Sequence, residues 1–188
     1  MNYNEEDLKV LEAQLGRRPR NLVKVAKRCK GGRPQVIVSS PILEKKDSVG
    51  VFPTTLWLSC KELNYRIGKL EGKGLVQEIQ EKIKEDKDLN HRLEEAHRDY
   101  AKYRLELVED ERLKQLKEKN PGQHRVLSQS GVGGIMEFDG IKCLHTHYAH
   151  YLVNPNNPVG KIVDKLLKEE YGEINPKDCC LSLEGEEI

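Results

Sequence analysis

The segment KCLHTHYAHYL, residues 142–152, contains three of the six histidines of the chain and a cysteine near its start. On a helix, Cys143, His147 and His150 follow one another at intervals of four and three, so their side chains lie on one face. Side chains at this spacing reach one point, which suits a transition metal. The apolar residues of the segment fall on another face, so we expect the Cys–His face to meet water or line a cleft. The segment is therefore either a metal site or a surface helix with ordinary imidazoles.

Two further cysteines lie where a predicted strand ends, a place at which functional side chains are common. Cys29 precedes a glycine pair, and Cys60 stands between a strand and a helix. The cysteines show no C-x-x-C spacing in this part of the chain, so the zinc-ribbon signature is absent. If they converge in the fold, they could bind zinc or an iron–sulfur cluster. The candidate ligands are Cys29, Cys60, Cys143, His145, His147 and His150. The alternative for each cysteine is a small buried hydrophobic side chain.

Cys60 also supports a metal-free interpretation. A thiol in the first turn of a helix feels the positive end of the helix dipole, which favours the nucleophilic thiolate. With His145, His147 or His150 folded beside it, Cys60 would form a catalytic Cys–His pair in which the imidazole is the base. A glycine-rich loop could offer backbone N–H groups to an anion. Its candidate residues are Ser130, Gly131, Gly133 and Gly134. The loop matches neither a Walker A nor a dinucleotide-binding motif, so a plain turn is the alternative.

Charge is unevenly distributed, although the net charge is only +1. Residues 16–34 contain eight Lys or Arg and no acid, whereas the last residues are acidic. The basic segment predicts an anionic partner, either a small molecule or RNA. The candidate anion-binding residues are Arg17, Arg18, Arg20, Lys24, Arg28 and Arg33. The segment has no aromatic residue for stacking on bases and no nucleic-acid motif. Ion pairing with acids elsewhere in the fold is the alternative.

The elements that must position these residues predict an α+β fold. Residues 5–15 have helical spacing, with Asn4 as N-cap. Residues 22–26 and 35–39 are rich in β-branched side chains and flank a Gly-Pro turn, which predicts a hairpin. Residues 51–58 predict a third strand, and a helix follows Ser59. We therefore expect a small antiparallel sheet of about three strands near the N-terminus, packed with several helices.

A long charged helical region covers residues 75–119, with an interruption at 84–88. Apolar residues from Leu89 to Leu107 form a seam of the coiled-coil type. The seam predicts packing against the same chain or against a second copy in a homodimer. We expect one domain over residues 1–174, with this region as a helical protrusion, and an acidic tail over residues 175–188.

Composition excludes a membrane protein and a secreted one. Charged residues make up 34% of the 188 residues, and no apolar run is long enough to span a bilayer. The N-terminus lacks the layout of a signal peptide. In a reducing compartment the five cysteines, an odd number, favour metal binding, catalysis or burial over disulfides. We expect a cytoplasmic protein.

The order of several blocks resembles the uncharacterised bacterial family called domain of unknown function 501. These blocks are EDLKVLEAQLGRRPRN, VAKRCKGGRPQVI, FPTTLWLSCKEL, RIGKLEGKG, SGVGG, and IKCLHTHYAH with NPVG. The resemblance implies a cytoplasmic bacterial protein with no established activity. It favours the positions Cys29, Cys60, Cys143, His145 and His150, whereas helical spacing favours His147 over His145.

Three hypotheses follow. The first is a metal- or iron–sulfur-binding protein whose Cys–His site faces an anionic ligand, with the metal as Lewis acid or water activator. The second is a metal-free thiol enzyme. The third is a module without enzymatic activity that binds RNA or protein through residues 16–34.

Overall fold

The computed structural model describes residues 3–44 and 49–173. Within these ranges the strands are β1 (Leu22–Arg28), β2 (Pro34–Ser39), β3 (Ile42–Glu44), β4 (Val49–Val51) and β5 (Leu56–Leu58). The helices of the same ranges are α1 (Glu5–Leu15), α2 (Lys61–Gly72), α3 (Leu75–Glu85), α4 (Lys87–Leu105), α5 (Asp110–Lys119), α6 (Pro121–Gln129), α7 (Leu144–Val153) and α8 (Pro158–Tyr171). The predicted α+β class is confirmed.

An antiparallel sheet with the order β1-β2-β5 forms the N-terminal part of the fold. The predicted hairpin is present, and its turn is closed by a bond from the Gly32 N–H to the Cys29 carbonyl oxygen at 2.9 Å. The third strand is shorter than residues 51–58, because residues 49–51 pair with β3 instead. Pro53, which has no N–H, lies between the two pairings.

The two faces of this sheet pack on different partners, as the alternation of side chains along a strand requires. Val36, Val38 and Leu56 point into the main core, which also receives α2, α3, α4, α7 and α8. Val25 and Ile37 point to the other side, where Leu11 of α1 covers them. Trp57 of β5 points to the same side and is exposed, so α1 leaves part of that face open.

The structure contains the predicted cap of the first helix and the predicted break in the long helical region. Asn4 and Asp7 form a capping box at the start of α1, with N–H to side-chain bonds of 2.8 and 3.0 Å. The interruption expected at 84–88 lies at Asp86, whose carboxylate caps α4. Leu93 and Tyr100 of the seam are buried in the chain's own core. The predicted tail, with Cys179 and Cys180, lies outside the described residues.

Arg104 is the largest fully buried side chain in the described ranges. Its guanidinium donates to the carbonyl oxygens of Leu127 at 2.7 Å, Pro53 at 2.9 Å and Ser130. Burial lowers the pKa of Arg104 to about 10, so it stays charged at neutral pH. One cation thus joins α4, the end of α6 and the loop before β5.

None of the helices in residues 3–44 and 49–173 has both the length and the apolar character needed to cross a bilayer.

Candidate metal centre

The imidazole-rich segment forms α7, with Cys143 as its N-cap residue in extended backbone. Helix α7 packs against α2, α8 and the β5 end of the sheet. The structure divides the six predicted metal ligands among three places. Cys143 and His145 lie beside α2, His147 and His150 lie in the core, and Cys29 and Cys60 line a separate pocket.

At the first place, the carboxylate of Glu71 lies beside the predicted ligands Cys143 and His145. The ligand atoms of Glu71, Cys143 and His145 all lie within 4.8 Å of one another, and the three side chains are half-buried. Glu71 comes from the last turn of α2, and its Oε1 accepts the N–H of Leu144 at 2.6 Å. Glu71 therefore satisfies a free N–H at the start of α7, and this bond fixes the two helix ends together.

Both ring nitrogens of His145 face oxygen acceptors. Nδ1 lies 3.1 Å from Oε1 of Glu71, and Nε2 lies 3.1 Å from the backbone carbonyl oxygen of Asn64. A neutral imidazole has one N–H, so it can satisfy only one of these two oxygens. A proton or a metal ion between Nδ1 and Glu71 removes the mismatch. Cys143 supplies a thiol on the same side, 3.3 Å from the hydroxyl of Thr146.

Glu71 and Asn64 are absent from the sequence-based candidates. A carboxylate more than seventy positions from its partners gives no spacing signal. Glu71 lies in the block RIGKLEGKG, one of those that resemble the family. This resemblance is the one sequence signal that points to Glu71.

The second place is a buried cluster of imidazoles, and here the expectation of a face toward water or a cleft is wrong. His147 and His150 are 0% and 3% exposed, because His97 of α4 and Asn157, the N-cap residue of α8, fill the space beside them. Asn157 accepts the N–H of Gly160 at 2.9 Å through Oδ1, so its Nδ2 is the donor toward the histidines. That atom lies 3.0 Å from Nδ1 of His150 and 3.3 Å from Nδ1 of His147.

These bonds determine which ring nitrogen carries the hydrogen in His147 and His150. His147 and His150 accept on Nδ1 and carry their hydrogen on Nε2. The Nε2 of His147 is buried and finds no hydrogen-bond partner among residues 3–44 and 49–173. Burial lowers the pKa of His97 to about 4 and that of His150 to about 3, and it holds the pKa of His147 well below its usual range. The imidazoles are therefore neutral at pH 7, and they pack the core rather than join the Cys143 group.

The glycine-rich loop packs on this cluster and has few donors left for a ligand. The N–H of Val132 donates to Nδ1 of His97 at 3.0 Å, and the N–H of Gly131 donates to Ile135 at 2.7 Å. The N–H groups of Ser130 and Gly134 also bond within the chain. A Cβ at position 131 would lie 2.3 Å from His97, so glycine is needed there for packing.

The third place is a pocket of about 530 Å³ between the β1–β2 hairpin, α2 and α8. Cys29 and Cys60 both line it, and Cys60 is 2% exposed at the N-cap position of α2. Neither cysteine belongs to a group of three metal-ligating side chains within the described ranges. None of the histidines in the described ranges is among the residues that line this pocket.

The basic segment is partly neutralised by the fold. Arg28 forms two bonds with the Asp7 carboxylate, at 2.6 and 2.8 Å, and this pairing lowers the pKa of Asp7. Lys24 lies over the ring of Tyr103, 5.6 Å from its centre. Arg33 lies half-buried in the hairpin turn, whereas Arg17, Arg18 and Arg20 are exposed before β1.

The family model described as "Protein of unknown function (DUF501)" matches residues 25–165, and the chain belongs to this family. The match runs from within β1 into α8, so it includes Glu71 and all six predicted ligands, Cys29, Cys60, Cys143, His145, His147 and His150. Searches of the curated proteins and of the solved structures gave no significant match.

Proposed function

We propose that this protein binds a divalent metal of the zinc type through Glu71, Cys143 and His145. The observation that carries the proposal is the pair of acceptors around His145. Its Nε2 faces a backbone carbonyl while its Nδ1 faces a carboxylate and a thiol. Metal-binding histidines characteristically donate their second ring N–H to such a carbonyl or carboxylate.

The donor set fits zinc better than an iron–sulfur cluster. Zinc takes thiolate, imidazole and carboxylate ligands in one site, whereas clusters are held mainly by several cysteine thiolates. Three protein ligands leave one position of a tetrahedral zinc open, as in catalytic zinc sites. A metal bound in this way would supply Lewis acidity or an activated water to a ligand at that position.

Cobalt titration tests the proposal, because a cobalt–thiolate bond absorbs strongly in the near ultraviolet. We expect the chelator-treated full chain to bind one Co²⁺ with such a band, and Zn²⁺ to displace it. Cys143→Ser should abolish the band, and Glu71→Gln and His145→Gln should weaken cobalt binding by tenfold or more.

The other cysteines provide matched controls for that titration. Cys29→Ser, Cys60→Ser and the double variant Cys179→Ser/Cys180→Ser should retain the band. Its absence from the unaltered protein, or its survival in Cys143→Ser, would overturn the proposal. Loss of the band only in the Cys179→Ser/Cys180→Ser variant would place the metal outside the described residues and would equally contradict the site.

A second candidate is thiol chemistry on an anionic molecule in the pocket that Cys29 and Cys60 share. The cations that line it are Lys27, Arg28, Lys30, Arg66 and Lys168, against the carboxylates Asp164 and Glu173. Cys29 is the more accessible thiol, since Cys60 is almost fully buried. We expect Cys29 to be alkylated faster by anionic iodoacetate, relative to neutral iodoacetamide, than a cysteine in an unstructured peptide. An unchanged ratio would count against an anion site here.

A further inference from the structure

A separate pocket of about 350 Å³ lies on the α1 side of the sheet, beside the edge strand β5. Its lining combines two arginines with two aromatic side chains, namely Arg17, Arg20, Phe52 and Trp57, and includes no Asp or Glu from the part of the chain that the structure describes. This composition differs from that of the Cys29 pocket, whose lining includes carboxylates.

The two aromatic side chains are exposed because of the sheet order. Trp57 pairs with Ile37 across β2 and β5, so both side chains point to the α1 side. Helix α1 covers Ile37, which is 2% exposed, but Trp57 on the edge strand remains 39% exposed, and Phe52 nearby is 49% exposed. The indole Nε1 donates to the carbonyl oxygen of Thr54 at 3.1 Å, so this bond orients the ring while its apolar surface stays accessible.

The arginines of this pocket are free to meet a ligand. Arg17 and Arg20 are exposed, and among the described residues neither has a carboxylate partner. In the Cys29 pocket, by contrast, Lys30 pairs with Glu173 at 2.7 Å and Lys168 pairs with Asp164 at 2.6 Å. Unpaired guanidinium groups beside exposed rings can bind phosphates while bases stack on the rings.

We propose that this surface binds single-stranded nucleic acid, with a base stacked on Trp57 and phosphates held by Arg17 and Arg20. The basic segment by itself contains no aromatic residue, and the fold supplies two from positions 52 and 57. Only an unpaired base exposes a face for stacking, so the surface favours a single strand over a duplex. The exposed Arg18 between the two lining arginines adds a third cation, which favours a polymer over a mononucleotide. This inference is independent of the metal site.

Trp57 is the only tryptophan of the chain, so its fluorescence reports on this surface alone. We expect a short single-stranded oligouridylate to quench it saturably with the full chain at low salt. The affinity should fall as salt rises, with a slope of about −0.7 per phosphate contact. Uridine monophosphate and a duplex of the same length should bind at least tenfold more weakly. Equal binding of either would overturn the assignment.

Variants separate stacking from charge, with the anisotropy of a labelled oligouridylate as the readout. Trp57→Leu should weaken binding by about five- to 150-fold, the range for the loss of one stacked base. Arg20→Gln should reduce the salt slope by about 0.7. Arg125→Gln, an exposed arginine on α6, is the matched control and should leave both quantities unchanged. If Trp57→Leu binds like the unaltered protein, or Arg125→Gln weakens binding as much as Arg20→Gln, the proposal is wrong.

Discussion

The Nε2 atom of His145 lies 3.1 Å from the backbone carbonyl oxygen of Asn64, so α2 determines which imidazole nitrogen is left for other partners. A main-chain oxygen cannot be removed by substitution or turned away by a rotamer change. Nδ1 therefore points to Glu71 and Cys143 as long as α2 and α7 stay packed.

Zinc affinity should rise with pH. Zinc binds a thiolate rather than a thiol, so binding through Cys143 should release a proton. Competition with a chromophoric chelator at several pH values measures this. A pH-independent affinity would contradict coordination through Cys143.

The buried histidines should make the fold sensitive to acid. The unfolded chain takes up protons on these imidazoles near pH 6.5, whereas folded His97 and His150 do so only near pH 4 and 3. The unfolded state thus binds more protons in this window, and the free energy of unfolding should fall as pH decreases from about 6.5 to 4. The negative charges of Asp139 and Glu94 raise the pKa of His97, but they offset the lowering by burial only in part.

Urea unfolding at several pH values tests this sensitivity. His150→Gln removes one titrating group, so its stability should fall less steeply with acid, by up to about 1.4 kcal/mol per pH unit. The slope rather than the stability at neutral pH is the readout, because His150→Gln also loses its bond to Asn157.

Gly160→Ala should destabilise the contact between α7 and α8. An added Cβ would lie 2.2 Å from Cβ of Tyr151 and 2.6 Å from the carbonyl oxygen of His147, so the helices must separate. We expect a loss of about 3 kcal/mol, at the upper end for overpacking. Gly68→Ala in α2, where no atom lies within 4 Å, should instead gain up to about 1 kcal/mol from helix propensity. Thermal unfolding of both variants measures the difference, and equal effects would contradict the close packing.

Arg104→Met should cost at least about 3 kcal/mol of stability, because it leaves buried carbonyl oxygens of Leu127, Pro53 and Ser130 without a donor. Arg104→Lys keeps the charge but cannot reach three acceptors with a planar group, so it should recover part of this loss. Urea unfolding of the two variants tests the order. If Met and Lys are equally tolerated, the three bonds contribute little.

Local signals in the sequence predicted the local structure. The Asn4 cap, the turn between β1 and β2 and the break before α4 each depend on a few adjacent residues, and each is present. The third strand is shorter than the sequence predicts, because residues 49–51 pair with β3 and such pairing depends on a partner strand rather than on propensity.

The sites depend on contacts between distant residues, which spacing cannot show. Helical periodicity groups Cys143 with His147 and His150, but the asparagine that caps α8 and a histidine on α4 bury the last two. The family resemblance favoured His145, which the fold brings to Glu71. Likewise, the arginines before β1 acquire aromatic neighbours only when the sheet forms.

The hydrogen bonds of Asn157 couple the local unfolding of α7 to that of α8. Its carbonyl oxygen holds the first turn of α8, while its amide hydrogens hold two side chains of α7. Neither helix can fray at this point without breaking the bonds of the other. Helices α7 and α8 should therefore behave as one cooperative unit, whose amide protons exchange with solvent together and at a single free energy of opening.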